Sequence, residues 1–300
     1  MVLGLSVFGK WPLDATVEYQ PYLGPKWVLP QWLDLVLSVT VINVQALLLN
    51  QLFNRLRLFP VRSFLYLFLF GFSHYVLGLA TGELTFLLWE LTLVAILRFI
   101  LSATEDEASA NLPYHLGFFM GLGLYFMPSS WVYFPSLVLM VLTVSKLNLN
   151  RLFQWLLTTG VVLLGIAGTT FLFDAWGHRL PLFALPQWEN LAIKEPSGVF
   201  SFVLLFAGIW SFVYLRFLSG SSTRFIKDIL LVFTYLIVGT ALHGLFYPRI
   251  ETTGYQLIIA VAFLLSLSLL SISRQWLSSV YAGVLVVVGL TLLIFNSLIF

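Results

Sequence analysis

Asp14 and Glu18 stand four residues apart in a stretch of prolines, aromatics and scattered charges. A carboxylate pair of this kind on an exposed loop can hold a divalent cation or supply a general base; the plainer reading is two solvated side chains. His178-Arg179 sets an imidazole beside a guanidinium, and arginine suits the anionic oxygens of a phosphate; here the plainer reading is an interfacial loop. Glu90 lies about six residues inside an apolar run, where a carboxylate is costly and by default marks a functional position. Its candidate partners are His74 and Arg98, and the plainer reading is a neutral or snorkelling side chain near the membrane surface. Asn43, Asn50 and Asn54 recur on one face of the first apolar run. Amides in lipid need partners, so that face should turn inward, as a polar track or as hydrogen-bonding glue between helices. Glu105-Asp106-Glu107 reads as a solvated acidic loop and not as a metal site.

Composition sets the kind of element that must position these residues. Apolar residues make up 60% of the chain and charged residues 9%, with a mean hydropathy of +0.96. A soluble domain carries about 25% charge, so most of this surface must face lipid. Backbone amides cannot stay unpaired in hydrocarbon, which leaves helices or a closed barrel. The apolar runs are continuous, as in 230–246 and 280–295, and lack the alternation of a barrel strand. The expectation is an all-α polytopic membrane protein forming a single integral domain over 1–300. With no cysteine, disulfides, thiolate metal sites and cysteine nucleophiles are excluded. No Walker A loop, HExxH, GxSxG or Rossmann fingerprint is present, which disfavours a membrane ATPase, a zinc protease and a serine hydrolase. Nothing supports nucleic-acid binding.

Taken in order, residues 1–30 read as an outer interfacial loop, and ten apolar segments follow: 31–53, 63–80, 84–103, 114–126, 130–144, 152–173, 198–218, 227–247, 254–272 and 277–299. The pair at 114–144 is a hairpin folded at Met127-Pro128-Ser129-Ser130, or else one kinked helix that would leave nine spans. Positive residues gather on the cytoplasmic side of membrane proteins. With the hairpin, ten positives fall inside: Arg55, Arg57, Arg62, Arg98, Lys146, Arg151, Arg216, Arg224, Lys227 and Arg274. Five fall outside: Lys10, Lys26, Arg179, Lys194 and Arg249. Without the hairpin the basic loop 216–227 would lie outside, so ten spans with both ends outside is the favoured topology. An outside start with no preceding span fits a chain that has lost one upstream helix. The longest connection, 174–198, is also outer, and a site for a polar substrate belongs on that face.

Two resemblances rest on these residues. The run Ala46–Ser63, ALLLNQLFNRLRLFPVRS, followed by the 117–137 hairpin with its Tyr-Phe-Met-Pro and Tyr-Phe-Pro, resembles an uncharacterised family of multipass inner-membrane proteins common in Bacteroidota. The likeness covers roughly residues 30–180 and implies a multipass inner-membrane location. The glycine-rich run Gly117-Phe-Phe-Met-Gly-Leu-Gly-Leu, followed by a turn and an apolar Tyr-Phe-Pro helix, is similar to the paired central helices of GT-C membrane glycosyltransferases. The chain departs from that pattern where Met127-Pro128-Ser129 replaces the basic residue common after the glycine-rich helix, and no adjacent Asp-Glu pair is present. This second resemblance implies a GT-C-like arrangement that binds or modifies a polyprenyl-phosphate-linked saccharide at the outer face. Asp14 or Glu18 would be the catalytic acid or base, while His178, Arg179 and Glu90 would meet the substrate. No resident cofactor is expected beyond a divalent cation at the carboxylates. The other class is a non-enzymatic transporter or a subunit of an envelope or secretion complex, with a polar interior around Glu90 and the asparagine face.

Overall fold

A computed structural model describes residues 16–19, 27–58, 64–76, 84–103, 111–144, 148–172, 224–246 and 250–271, together with Gly283. Two short strands, β1 (Thr16–Tyr19) and β2 (Trp27–Pro30), pair antiparallel ahead of the helices. The sequence reading expects a loop there. The Thr-Val-Glu-Tyr and Trp-Val-Leu runs instead carry the β-branched and aromatic residues that suit a pleated pair.

The rest of the described chain is helical. The helices are α1 (Gln31–Arg55), α2 (Leu65–Val76), α3 (Leu84–Ser102), α4 (Leu112–Phe126), α5 (Phe134–Val144), α6 (Leu149–Leu172), α7 (Arg224–Phe246) and α8 (Ile250–Ser271). A six-residue 3-10 helix, Pro128–Tyr133, joins α4 to α5. Three stretches are long and apolar enough to cross a membrane: Trp32–Arg55, Leu84–Ser102 and Leu149–Gly168. The apolar stretches Leu65–His74, Ser129–Thr143, Asp228–His243 and Leu257–Leu270 are shorter. The expected segments 198–218 and 277–299 lie outside the described residues, apart from Gly283.

Side-chain pairs fix the direction of each helix. Phe53 meets the Tyr66 ring across the α1–α2 turn, with centroids 4.9 Å apart. His74, near the end of α2, bonds to Glu90 near the start of α3. Phe99 stacks on His115 while Trp89 lies against Gly123, so α3 and α4 are antiparallel. Gly117 faces Trp155 and Thr158 while Gly121 faces Thr159 and Val162, so α4 and α6 are parallel. The 3-10 helix with α5 therefore returns the chain between them, and the expected reversal at Pro128 is present. The two arms pack mainly on different neighbours, α4 on α3 and α6, α5 on α7. Ser129 pairs with His243 and Ser136 lies against Gly239, which makes α7 antiparallel to that return segment. Phe233 stacks on Phe263 at 4.0 Å across the α7–α8 hairpin.

These directions bring the six Lys and Arg of the described residues (Arg55, Arg57, Arg98, Arg151, Arg224 and Lys227) toward one end of the bundle. Trp32 and Trp131, both well exposed, mark the opposite end, at the depth where indoles settle in an interface. The basic end of α1 closes in a Schellman turn. Leu58 N–H donates to the Phe53 carbonyl at 3.0 Å and Arg57 N–H to that of Asn54 at 3.3 Å. Arg57 takes the left-handed conformation at φ 52, which costs a non-glycine residue about 1–2 kcal/mol. Burial of Leu58 beside Phe53 offsets that strain.

The glycine-rich run has a packing role. A methyl on Gly117 would sit 2.7 Å from the Trp155 carbonyl oxygen, and one on Gly121 would sit 2.7 Å from Val162 Cγ1. This is the small-xxx-small spacing that lets two membrane helices approach closely. Gly117→Ala should therefore lower stability by about 1–3 kcal/mol through overpacking, read as a lower midpoint of thermal unfolding in detergent. Gly160→Ala, on α6 with nothing within 4 Å of the added carbon, is the control and should hold or raise the midpoint.

Candidate functional site

Glu90 and His74 form a buried pair, both side chains at 0% exposure, with Nε2 and Oε2 3.0 Å apart. Of the two partners expected for Glu90, His74 is the one it meets; Arg98 is exposed two turns along α3, about 12 Å further on. The spacing of Tyr66, Phe70 and His74 at i, i+4 and i+8 sets all three on one face of α2, and their rings follow one another at 5.6 and 4.3 Å.

The backbone fixes the proton count of this pair. His74 Nδ1 lies 3.0 Å from the Phe70 carbonyl oxygen, which can only accept, so Nδ1 carries the hydrogen. The contact between Nε2 and Oε2 then needs one proton between them. The pair is either a carboxylic acid donating to a neutral imidazole or an imidazolium donating to a carboxylate, and in both forms it is neutral overall. Removing that proton leaves two acceptors face to face and a net negative charge in a low-dielectric interior.

Around the pair, polar groups form a layer across the bundle near the end opposite the basic residues. Gln45 on α1 donates from Nε2 to the Leu87 carbonyl at 2.8 Å. Trp89, next to Glu90, packs against Gly123 of α4 and against the Tyr133 ring at 5.5 Å. Tyr133 donates to Thr240 Oγ1 at 3.2 Å, and its ring lies 5.6 Å from that of His243. His243 Nε2 is 2.9 Å from the Ser129 hydroxyl. Gly239 makes this side possible, because a methyl there would meet Ser136 Oγ at 2.9 Å and Tyr133 Cδ1 at 3.0 Å. Several buried polar atoms have no hydrogen-bond partner among the described residues: Glu90 Oε1, Trp89 Nε1, Ser130 Oγ, Gln45 Oε1, Asn50 Oδ1 and Tyr66 OH. Such groups are normally satisfied by protein or by ordered water.

Other expected residues fall elsewhere. Asp14, His178 and Arg179 lie outside the described residues, while Glu18 sits on β1 opposite Val28. The asparagine face does not act as a unit. Asn50 is buried, but Asn43 is exposed and bonds back to the Val39 carbonyl of its own helix, and Asn54 bonds to that of Asn50. The inward-turned asparagine face expected there, as track or as glue, is corrected to one buried amide, with Gln45 as the second inward-facing amide of α1. Sequence reasoning passed over Gln45, Ser129, Tyr133, Thr240 and His243. His243 carried a usable signal, since an imidazole inside an apolar helix is as costly as Glu90. Asp34, 2% exposed and 3.4 Å from the Ser38 hydroxyl, was missed as well; it lies in the first turn of α1, where the helix dipole favours a carboxylate. Among the described residues no group of three or more His, Asp and Glu could hold a metal ion.

Comparison with known proteins finds no matching family model, no similar curated protein and no similar solved structure. The described architecture is predominantly helical, with three helices long and apolar enough to cross a membrane and a polar layer in its interior.

The proton assignment makes the substitutions unequal. Glu90→Gln keeps a donor for His74 Nε2 and should cost about 1 kcal/mol or less. Glu90→Leu and His74→Leu each strand the other partner and should cost about 1–3 kcal/mol. In a double-mutant cycle on thermal unfolding, the pair with both positions leucine should recover part of the loss. Equal losses for Glu90→Gln and Glu90→Leu would refute the assignment.

Proposed function

We propose that this chain is a multipass inner-membrane protein of about ten helices that works as a proton-coupled carrier, with Glu90 and His74 as the proton-holding pair. The observation that carries this reading is the neutral buried pair. Its proton cannot leave without exposing an uncompensated charge, so release must accompany a separation of α2 from α3 or the arrival of a cationic group. Coupling of proton release to a structural change is what a carrier needs. The parallel course of α7 and α6 supports a further crossing within 198–218, as the ten-span topology requires. The charge asymmetry supports the basic end as cytoplasmic.

The glycosyltransferase-like reading is the second one, acting on a lipid-linked saccharide at the outer face. It draws on Glu18, whose backbone belongs to a paired strand shortly before α1 at the end bearing the polar layer. Proteoliposomes separate the two. Proton movement, followed by a trapped pH dye under imposed gradients of sodium, potassium or organic cations, should be lost in Glu90→Gln and unchanged in Asp14→Asn and Glu18→Gln. Proton movement that survives Glu90→Gln overturns the carrier. Transfer of sugar from a polyprenyl-phosphate donor, lost in Asp14→Asn or Glu18→Gln, would establish the second reading.

Topology has a clean test because the chain contains no cysteine. Arg57→Cys and Trp131→Cys should react with a membrane-impermeant maleimide from opposite faces, Trp131→Cys from outside in intact cells. Labelling of both from one face would exclude this arrangement.

A further inference from the structure

We infer that Ser129 and His243 form the port through which protons reach the Glu90–His74 pair from the end of the bundle opposite the basic residues. This rests on the reading of Glu90 as the proton-holding group.

The two groups are placed for the task by separate features. Pro128 breaks the chain after α4 and puts Ser129 on a 3-10 turn at the end of the bundle, where it is only partly buried and Trp131 beside it is exposed. His243 stands three residues before the end of α7 and is 1% exposed. The serine hydroxyl, 2.9 Å from Nε2, is thus the wet side of the pair, and the imidazole is the dry side. Gly239 and the Tyr133–Thr240 bond hold the turn against α7, so the contact belongs to a rigid element. The Tyr133 ring lies 5.6 Å from that of His243 and 5.5 Å from that of Trp89, and Ser130 Oγ, Trp89 Nε1 and Glu90 Oε1 are buried polar atoms with no partner among the described residues. Water bound to such groups would complete a file from the imidazole to the carboxylate.

The transfer balances as one proton moved. Ser129 gives its hydrogen to His243 Nε2 while taking one from a hydronium ion at the interface. The imidazolium releases a proton from its other nitrogen toward the emptied Glu90 carboxylate, and a flip of the ring then presents the bare nitrogen to Ser129 for the next proton. The titratable groups facing Glu90 from the packed elements are His74 and Tyr66 on α2 and Tyr133 on the 3-10 helix, with His243 on α7 behind Tyr133. The described part of α8 from Leu257 to Leu270 carries none, and α1 offers the amides Gln45 and Asn50. On α4, His115 stacks on Phe99 toward the basic end.

Stopped-flow acidification of the purified protein, first held at a pH alkaline enough to empty the pair, tests the port with an external pH dye. The wild type should show a fast uptake phase whose amplitude disappears in Glu90→Gln. In His243→Gln and in Ser129→Ala that amplitude should remain while the rate falls, by about a hundredfold for the imidazole. Added imidazole should restore the rate in His243→Ala. Unchanged rates in both variants, with the Glu90-dependent amplitude intact, overturn the port and leave the carrier reading standing. Absence of any Glu90-dependent amplitude in the wild type removes the carrier reading and the port with it.

Discussion

A carboxylate in the hydrocarbon interior persists only if a proton or a partner neutralises it, and that requirement organises one end of this bundle. Glu90 is the fully buried acid of α3, so α2 must present a complementary group at the same depth. It does so at its tenth residue, with the ring held by the carbonyl one turn earlier. The α2–α3 register follows, because a slip of one residue would turn His74 about 100° away from the carboxylate.

The same pair is tied to the far side of the bundle by a single indole. Trp89 immediately precedes Glu90 on α3, lies over Gly123 and reaches Tyr133. Tyr133 in turn is held by α7. Close approach is needed at both contacts, and glycine supplies it at 123 and 239. The packing glycines and the polar groups thus belong to one arrangement: small residues bring the helices close enough for short polar side chains to meet.

Much of this was legible from residue pattern. The helical class with apolar spans follows from composition and the reversal at Pro128 from its turn chemistry, and the cost of Glu90 in lipid pointed to two partners, His74 and Arg98, of which the fold uses His74. The clustering of arginines at one end was legible too, because loop charge is a local property. What escaped was everything set by tertiary register. Asn43 and Asn50 lie seven residues apart on one face, yet only Asn50 is buried, because the buried face of α1 widens toward Phe53 as α2, α7 and α8 close over it. The glycine-rich helix suggested a family likeness, whereas its spacing serves the contact with α6. Ser129 and His243 are 114 residues apart in sequence, and no local period links them.

The polar layer and the basic residues occupy opposite ends, and this has a consequence for any proton held at Glu90. The carboxylate lies about 9 Å along α3, a helix that rises about 28 Å in all. Between it and the basic end stands an aromatic cluster, with Phe53 4.7 Å from Phe263, Phe233 stacked on Phe263 at 4.0 Å, and Tyr66 edge-on to Phe53. A dry cluster of this kind bars ions as effectively as a wall of lipid. Passage toward the basic end thus requires these rings to part. Tyr66 is the group that spans both regions. Its ring belongs to the cluster and lies 5.6 Å from that of Phe70, which in turn lies 4.3 Å from the His74 ring. The pair and the aromatic cluster are therefore in contact through rings of one helix, and a shift of α2, which carries both Tyr66 and His74, would move both together.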